Sequence, residues 1–465
     1  MTTKEFNRKY GLNLSDNSSD LFKRVPNKSK NFVNVAGKPK KMVAEIFKRY
    51  FTNWAIVLFT VIFLFVLITS IVVTVSAKHS PNEPISDTMF FRVPKTWTLD
   101  AKTNTYVPSN YEWVKGSGEI RNLPPAYKQW IPLRAFMEQS NYAKYMQAFN
   151  SNYGGYIAKE IIKPITDNDS AIKIVKTEII QSDGKPAVKT EILINAFRFY
   201  EAMNLNIFLS EGNFPKNASL PQTQAAVNTL LSVNGGSLYP TTILGTNQAG
   251  IDIWTSSWIG TWNAIRLALI VATLQTIIGV AVGSYLGFHV GSWIDTVIMR
   301  LIEIFVAPPG LIWLLLFAST FGTSDLTLIL ALVFTGWTGA VGGTRMFIIT
   351  VKDSEFITAS KSVGASKARL IYKHALPAII GKIANSYVSR IPGIILSVSS
   401  LAFLGFFKGD NTNLGALLSS AAGEASQNFW ILLLPSLILL SISVSLHFMA
   451  LGIHDALDPK VIRGK

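Results

Sequence analysis

The chain has 465 residues, 49% of them hydrophobic, 15% charged and none cysteine, with a net charge of +15 and a mean hydropathy of +0.31. A soluble domain carries about 25% charge, so this balance excludes an ordinary soluble protein and points to a membrane one. Disulfides and cysteine-ligated metals are excluded outright, and the basic excess reads as residues flanking membrane spans rather than as a nucleic-acid surface.

Residues 1–50 form a basic arm, with twelve Lys/Arg against four Asp/Glu up to residue 49. The uncharged stretch 51–77 follows. It is long enough to cross a hydrocarbon core of about 30 Å. Val75-Ser76-Ala77 resembles a signal-peptidase site, but the arm and the apolar run are both too long for a signal peptide. The reading is an uncleaved first span with its basic arm in the cytoplasm.

Residues 78–254 carry seventeen Lys/Arg and fifteen Asp/Glu and are too long for a structureless loop. In "AIKIVKTEIIQSDGKPAVKTEILI" (171–194), apolar and polar residues alternate on both sides of Ser182-Asp183-Gly184, which predicts a β-hairpin. "NYAKYMQAFNSNYGGYIAKEIIK" (141–163) reads helical on either side of Gly154-Gly155. Trp97, Tyr111, Trp113 and Trp130 are read as core aromatics in preference to a ligand platform. The expectation is a folded α+β domain outside the membrane.

From residue 255 to 455 the chain is densely apolar. Spans are predicted near 264–289, 304–321, 326–348, 378–403 and 430–451, making six and placing both termini in the cytoplasm. The connection 352–377 carries Lys352, Lys361, Lys367, Arg369 and Lys373 against Asp353 and Glu355, and the 456–465 tail carries Lys460, Arg463 and Lys465. Both agree with positive-inside topology. Gly279, Gly283 and Gly287 recur every fourth residue and line one helix face suited to close helix packing. A pore-lining role is the lesser alternative.

Within 352–377, Phe356, Ala359, Ser360 and Val363 fall at i, i+3, i+4 and i+7, predicting a short helix with a small-to-apolar face. Gly364 suits a left-handed C′ position that ends it, and Ser366 suits an N-cap for the next helix. Pro377 lies too deep in that next helix to start it, so a kink near the membrane surface is expected. Pattern alone leaves two readings open: a helix lying on lipid headgroups, or a docking knob for a cytoplasmic partner. In the fifth span Arg390 follows Asn385, Ser386 and Ser389. An arginine at this depth should face water, a partner or another subunit. An inter-subunit hydrogen bond, or a span boundary drawn in the wrong place, outweighs substrate contact.

No G-x-x-x-x-G-K-[ST] phosphate loop occurs: Pro186 follows Gly184-Lys185, and Ile383 follows Gly381-Lys382. Neither G-x-S-x-G, H-E-x-x-H nor a paired-carboxylate arrangement is present. The chain is therefore read as a non-enzyme without a cofactor or metal of its own.

The elbow carries a resemblance. Integral permeases of ABC importers have a cytoplasmic motif E-A-A-x3-G-x9-I-x-L-P. Thr358-Ala359-Ser360, Gly364 and His374-Ala375-Leu376-Pro377 stand at those spacings. "LGTNQAGIDIW" (244–254) resembles "LGTDxxGRD", "GSWIDTVIMRLIEIFVAPP" (291–309) resembles "GGWVDxxLMRxxDxxLxIP", and "LGIHDALDPK" (451–460) resembles "xGDGLRDALDPR". "LAFLGF" (401–406) is a looser match to "LSFLGLG". These are motifs of the oligopeptide/dipeptide branch, specifically its OppC/DppC-like permease. The resemblance covers the first span and roughly 240–460. Thr358 stands where the motif has Glu, Ser360 where it has Ala, and Ile251 where the branch has Arg.

The resemblance implies a six-helix, type I importer permease that works with a second permease subunit, two ABC ATPase subunits binding ATP and Mg, and an extracytoplasmic substrate-binding protein. It also implies that Thr358, Ala359, Ser360, Gly364, His374, Leu376 and Pro377 form the ATPase-coupling elbow. Import of nickel or another small solute is the rival within the class. A secondary transporter is the rival outside it, and its coupling-ion carboxylates would have to be Glu303 and Asp325 at span ends.

Overall fold

The computed structural model describes residues 42–116, 122–133, 172–180, 186–407, 412–426 and 428–457. The predicted helix pair in 141–163, the hairpin turn at 182–184, the arm up to 41 and the tail from 458 lie outside these residues.

Helix α1 (Met42–Tyr50) leads into α2 (Trp54–Ser76). Asn53 starts α2, its Oδ1 accepting the Ala55 N–H at 3.1 Å. The remaining long apolar helices are α5 (Ile253–Phe288), α8 (Asp325–Ile349), α10 (Lys367–Phe403) and α12 (Trp430–Leu457). Each is long and apolar enough to cross a membrane. Helix α5 rises about 54 Å over its 36 residues, so it outreaches the hydrocarbon core and begins eleven residues before the predicted 264.

The predicted span 304–321 is not one helix. It splits into α6 (Trp293–Val306) and α7 (Gly310–Phe321), bent by 71°. Pro308 and Pro309 supply no N–H at the break, and Pro309 turns the chain out of helical geometry at ψ 133. At 12 residues, α7 rises only about 18 Å and does not cross alone. The described residues thus hold five crossing helices, or six if this bent pair is one span.

The bundle core joins Ala264, Ala268, Val271 and Ala272 of α5 to Ile391, Ile394 and Val398 of α10 and to Leu332 of α8. Helix α2 lies against α12: Phe59 stacks on Phe448 with ring centroids 4.3 Å apart, and Ile56 fits over Gly452. Helices α5 and α8 approach closely along three glycines. A Cβ at Gly279 would sit 2.6 Å from the Ala340 Cβ, at Gly283 2.5 Å from the Val341 carbonyl oxygen, and at Gly287 2.7 Å from the Ile348 Cβ. The glycine row is where two backbones meet.

Between α2 and α5 lies the inserted domain. Strands β1 (Phe90–Asp100) and β2 (Thr105–Lys115) pair antiparallel. Strands β3 (Trp130–Pro132), β4 (Ile172–Ile180) and β5 (Pro186–Asn195) form a second sheet in the order β3-β5-β4. The β4–β5 hairpin runs in register from Ile172↔Ile194 to Ile180↔Pro186, as the alternation predicts. Helices α3 (Ala196–Glu211) and α4 (Leu220–Val233) complete an α+β unit.

Its core differs from the predicted aromatics. Phe91, Phe197, Tyr200, Phe208 and Phe214 are buried there, with Phe91 and Phe208 5.1 Å apart. Trp97 reaches this core through Phe214, but Trp113 is exposed. The two-residue alternation of β2 places Trp113 on the open face, opposite Arg92. Tyr111 lies under the Arg92 guanidinium.

Substituting Gly283→Leu should therefore lower stability by about 1–3 kcal/mol through overpacking, whereas Gly423→Ala, with no atom within 4 Å of the added Cβ, should be neutral or slightly stabilising. Thermal unfolding of the two variants in detergent reads the difference.

Candidate functional site

The site grows from the end of α8. After Thr350 the chain turns, and α9 (Glu355–Ser362) begins at Ser354, with Glu355 in its first turn favouring the helix dipole. Ile357 is the residue α9 buries, at 2% exposure. It packs with Ile348 of α8 and Leu370, Ala375, Ile379 and Ile383 of α10. The predicted small-to-apolar face is therefore the outer one. Phe356 is exposed and Val363 is 90% exposed, Thr358 and Ala359 face out, and Ser360 is half-buried with its hydroxyl donating to the Phe356 carbonyl at 2.8 Å.

Helix α9 stops where the sequence says it should. Gly364 adopts φ +87, a conformation that costs a residue with a Cβ about 1–2 kcal/mol. Its N–H donates to the Lys361 carbonyl at 3.0 Å, and the Ala365 N–H donates to Ser360 at 3.1 Å. These are the paired bonds of a Schellman cap. An added Cβ at Gly364 would meet nothing within 4 Å, so the requirement is on the backbone and not on space. Ser366 then caps α10, its Oγ accepting the Arg369 N–H at 3.4 Å.

Helix α10 opens with one α-turn and passes into a π-helical turn at Leu370–Ala375 before its long α segment starts at Leu376. The Leu376 N–H donates to the Ile371 carbonyl, five residues back. This corrects the expectation at Pro377. The proline sits in the first turn of the long α segment. The wider π turn just before it absorbs the irregularity a proline brings to a helix interior. His374 and Leu376 are half-buried beside this turn, and Leu376 packs onto the Ile357 cluster.

Two polar contacts fasten the elbow end. Lys367 Nζ lies 3.3 Å from His289 Nε2, while His289 Nδ1 lies 2.8 Å from the Tyr285 carbonyl. A carbonyl only accepts, so Nδ1 carries the proton and Nε2 accepts from Lys367. This ties the start of α10 to the end of α5. Nearby, Arg345 of α8 grips Asp295 of α6 with two bonds, Nε–Oδ1 at 2.6 Å and Nη2–Oδ2 at 2.7 Å. The Asp295 side chain is 4% exposed and also accepts the Gly291 N–H.

At the opposite end of the bundle, Asp252 caps α5 by accepting the Thr255 N–H at 2.9 Å. Burial pushes its carboxyl pKa up, against the Thr255 bonds. Glu424, at the end of α11 (Leu414–Glu424), accepts the Gln248 N–H at 2.7 Å. Burial pushes its pKa up as well.

Arg390 does not join the elbow. It stands fourteen residues beyond Leu376 along α10, about 21 Å. Its Nη2 donates to the Gly339 carbonyl of α8 at 3.4 Å, above Gly343. Asn385 and Ser386 are half-buried on the preceding turn and Ser389 is exposed.

Sequence reasoning missed Asp295–Arg345, Ile357 and the Lys367–His289 contact. The first had a signal: an arginine inside a predicted span calls for a partner. Removing only the arginine, Arg345→Leu, should strand a buried carboxylate and cost about 3–5 kcal/mol. The double variant Asp295→Leu/Arg345→Leu should recover most of that loss. Denaturant melts of both in detergent test it.

Comparison with known proteins agrees with this layout. Residues 279–463 match the family described as binding-protein-dependent transport system inner membrane component. The oligopeptide transport system permease protein OppC of Mycoplasma pneumoniae is 32% identical over 231 residues, 48% of this chain and 60% of that protein. The dipeptide transport system permease protein DppC of Bacillus subtilis is 30% identical over 47% of this chain and 69% of its own length. DppC of Haemophilus influenzae is 31% identical over 223 residues, 48% of this chain and 75% of its own. The chain thus spans three fifths of the Mycoplasma relative and three quarters of the Haemophilus one. By these matches and the five to six apolar helices among its described residues, the chain belongs to the family of binding-protein-dependent transport system inner membrane components, the permeases of ABC importers.

Proposed function

We propose that this chain is the permease subunit of an ATP-driven importer of oligopeptides or dipeptides, and that α9 is where the ATPases push. The observation that carries the reading is the elbow itself. A short helix presents Phe356 and Val363 to the outside, while its one buried residue, Ile357, is packed between α8 and α10. An apolar surface held this way suits a partner groove, in the manner of a helix laid into a docking site. The names of the curated relatives support the peptide substrate class.

In this account the working assembly contains a second permease subunit, two ABC ATPase subunits that hold ATP and Mg, and an extracytoplasmic binding protein, all around this chain in membrane lipid. Both termini lie in the cytoplasm, as does α9. ATP-driven closure of the ATPases displaces α9. The Schellman cap at Gly364 and the π turn pass the displacement into α10, and the bundle switches between two packed states as rigid parts. The close α5–α8 seam keeps those two helices together as one of the rigid parts. The inserted domain meets the binding protein or does part of its work, and Asn385, Ser386, Ser389 and Arg390 lie along the substrate path.

The test replaces Val363, exposed and outside the Ile357 cluster, with Asp. Val363→Asp should leave the melting temperature unchanged, because a surface substitution of this kind costs within about 0.5 kcal/mol, while ATPase co-purification and peptide uptake both fall by about tenfold or more. Gly364→Leu should show the same two losses with a small drop in stability. Full assembly and uptake in both variants would remove the docking role.

A further inference from the structure

The junction of α1 and α2 leaves three large aromatics outside the fold. Phe47 is 59%, Phe51 54% and Trp54 76% exposed. They are held in place by Tyr50, which turns inward between them. Its hydroxyl lies 2.8 Å from the Thr60 hydroxyl of α2. Its ring edge lies 3.0 Å from where a Cβ at Gly452 of α12 would stand. Phe47 and Phe51 stack with ring centroids 6.3 Å apart, and Tyr50 meets Phe51 edge-on at 5.3 Å. The junction is thus pinned against two spans with its aromatics on the outside.

Trp54 is the first residue of α2, so this group stands at one mouth of the span. Aromatic side chains with an apolar body and a polar edge favour that layer, between hydrocarbon and headgroups. Deeper along α2 the surface stays apolar. Leu58, Val61 and Phe65 are exposed, and of its 23 residues the helix buries Ile56, Val66 and Ser70. A helix so sparsely covered along its length has acyl chains as its natural surroundings, and the exposed aromatics continue that surface to the headgroup level.

The charge beside the aromatics has one dominant sign. Lys38, Lys40, Lys41, Lys48 and Arg49 occur within the sequence 38–49, against Glu45. Lys48 is exposed. The aromatics alone would serve a neutral interface. Five cations to one carboxylate next to a span complement a negative headgroup layer, and each cation near that layer adds to the attraction. Amphipathic helices at membrane surfaces combine these two terms, apolar seating and attraction to anionic lipid.

We propose that the α1–α2 junction is a binding surface for anionic phospholipid, with its aromatics at the headgroup–acyl boundary and its cations on the phosphates. The inference stands apart from the importer reading, since it concerns the lipid around this chain and not the solute it carries.

The experiment uses a bimane fluorophore at Leu58→Cys, exposed one turn beyond Trp54. The chain has no native cysteine, so this is a single reporter beside the junction. The full chain is placed in phosphatidylcholine nanodiscs, and doxyl-labelled phosphatidylglycerol or doxyl-labelled phosphatidylcholine is added in steps. Both lipids should quench the bimane. At low salt the content needed for half-quenching should be about tenfold lower for phosphatidylglycerol. Lys48→Gln should raise the phosphatidylglycerol value roughly fivefold and leave the phosphatidylcholine value unchanged. Raising salt to about 1 M should shrink the preference with no substitution at position 48, a reading that does not depend on how the Lys48 variant folds. Equal quenching by the two lipids would overturn the proposal, as would a phosphatidylglycerol preference that is unchanged in Lys48→Gln or at high salt. Absence of quenching by either lipid would also overturn it and would mark this face as covered by another protein chain.

Discussion

The burial of Ile357 among Ile348, Leu370, Ala375, Ile379 and Ile383 is the contact on which the functional account depends. A helix as short as α9 has no independent stability in water. One fully buried isoleucine contributes about 1.5–3 kcal/mol and fixes which way the helix faces. Because the partners come from both α8 and α10, α9 is held by two spans at once. The Schellman bonds at Gly364 and the Ser366 cap then leave little slack between the short helix and the long one. The outward position of Phe356 and Val363 follows from the inward position of Ile357, since a helix that buries one face must expose the other.

A second set of contacts makes the surrounding helices a single body. The glycine row brings the α5 backbone against α8, the Asp295–Arg345 pair fastens α6 to α8, and Lys367 fastens the start of α10 to the end of α5. The break at Pro308–Pro309 sits just beyond the fastened helix. In the proposed cycle this is the combination a lever needs, with stiff arms and a defined point of bending.

Much of this layout was legible in the sequence. Apolar length gave α2, α5, α8, α10 and α12, because a span is a composition signal as much as a pattern. Gly364 and Ser366 were legible because a helix end imposes a local backbone requirement that few residue types meet. The alternation in 171–194 gave the hairpin for the same local reason. What escaped depends on neighbours far along the chain. Period gave the small-to-apolar face of α9 but not Ile357, since four positions at helical spacing do not reveal where the core lies. Pro377 suggested a kink because sequence does not display a π turn five residues wide. Trp97 reaches the core of the inserted domain, but Trp113 does not, since Trp113 and Phe208 look alike as composition and differ only in which side of a strand or helix they face. The span at 304–321 contained its own warning in two adjacent prolines.

The central claim is that the elbow and α10 move as one. The chain has no native cysteine, so spin labels placed at Val363→Cys and Leu396→Cys, both exposed, report a single distance across the Ile357 cluster. In the assembled transporter that distance should be the same without nucleotide and with ATP trapped, while the distance from position 363 to a label at Trp113→Cys in the inserted domain changes. A 363–396 distance that shifts with nucleotide would show α9 moving apart from its span and would contradict the account.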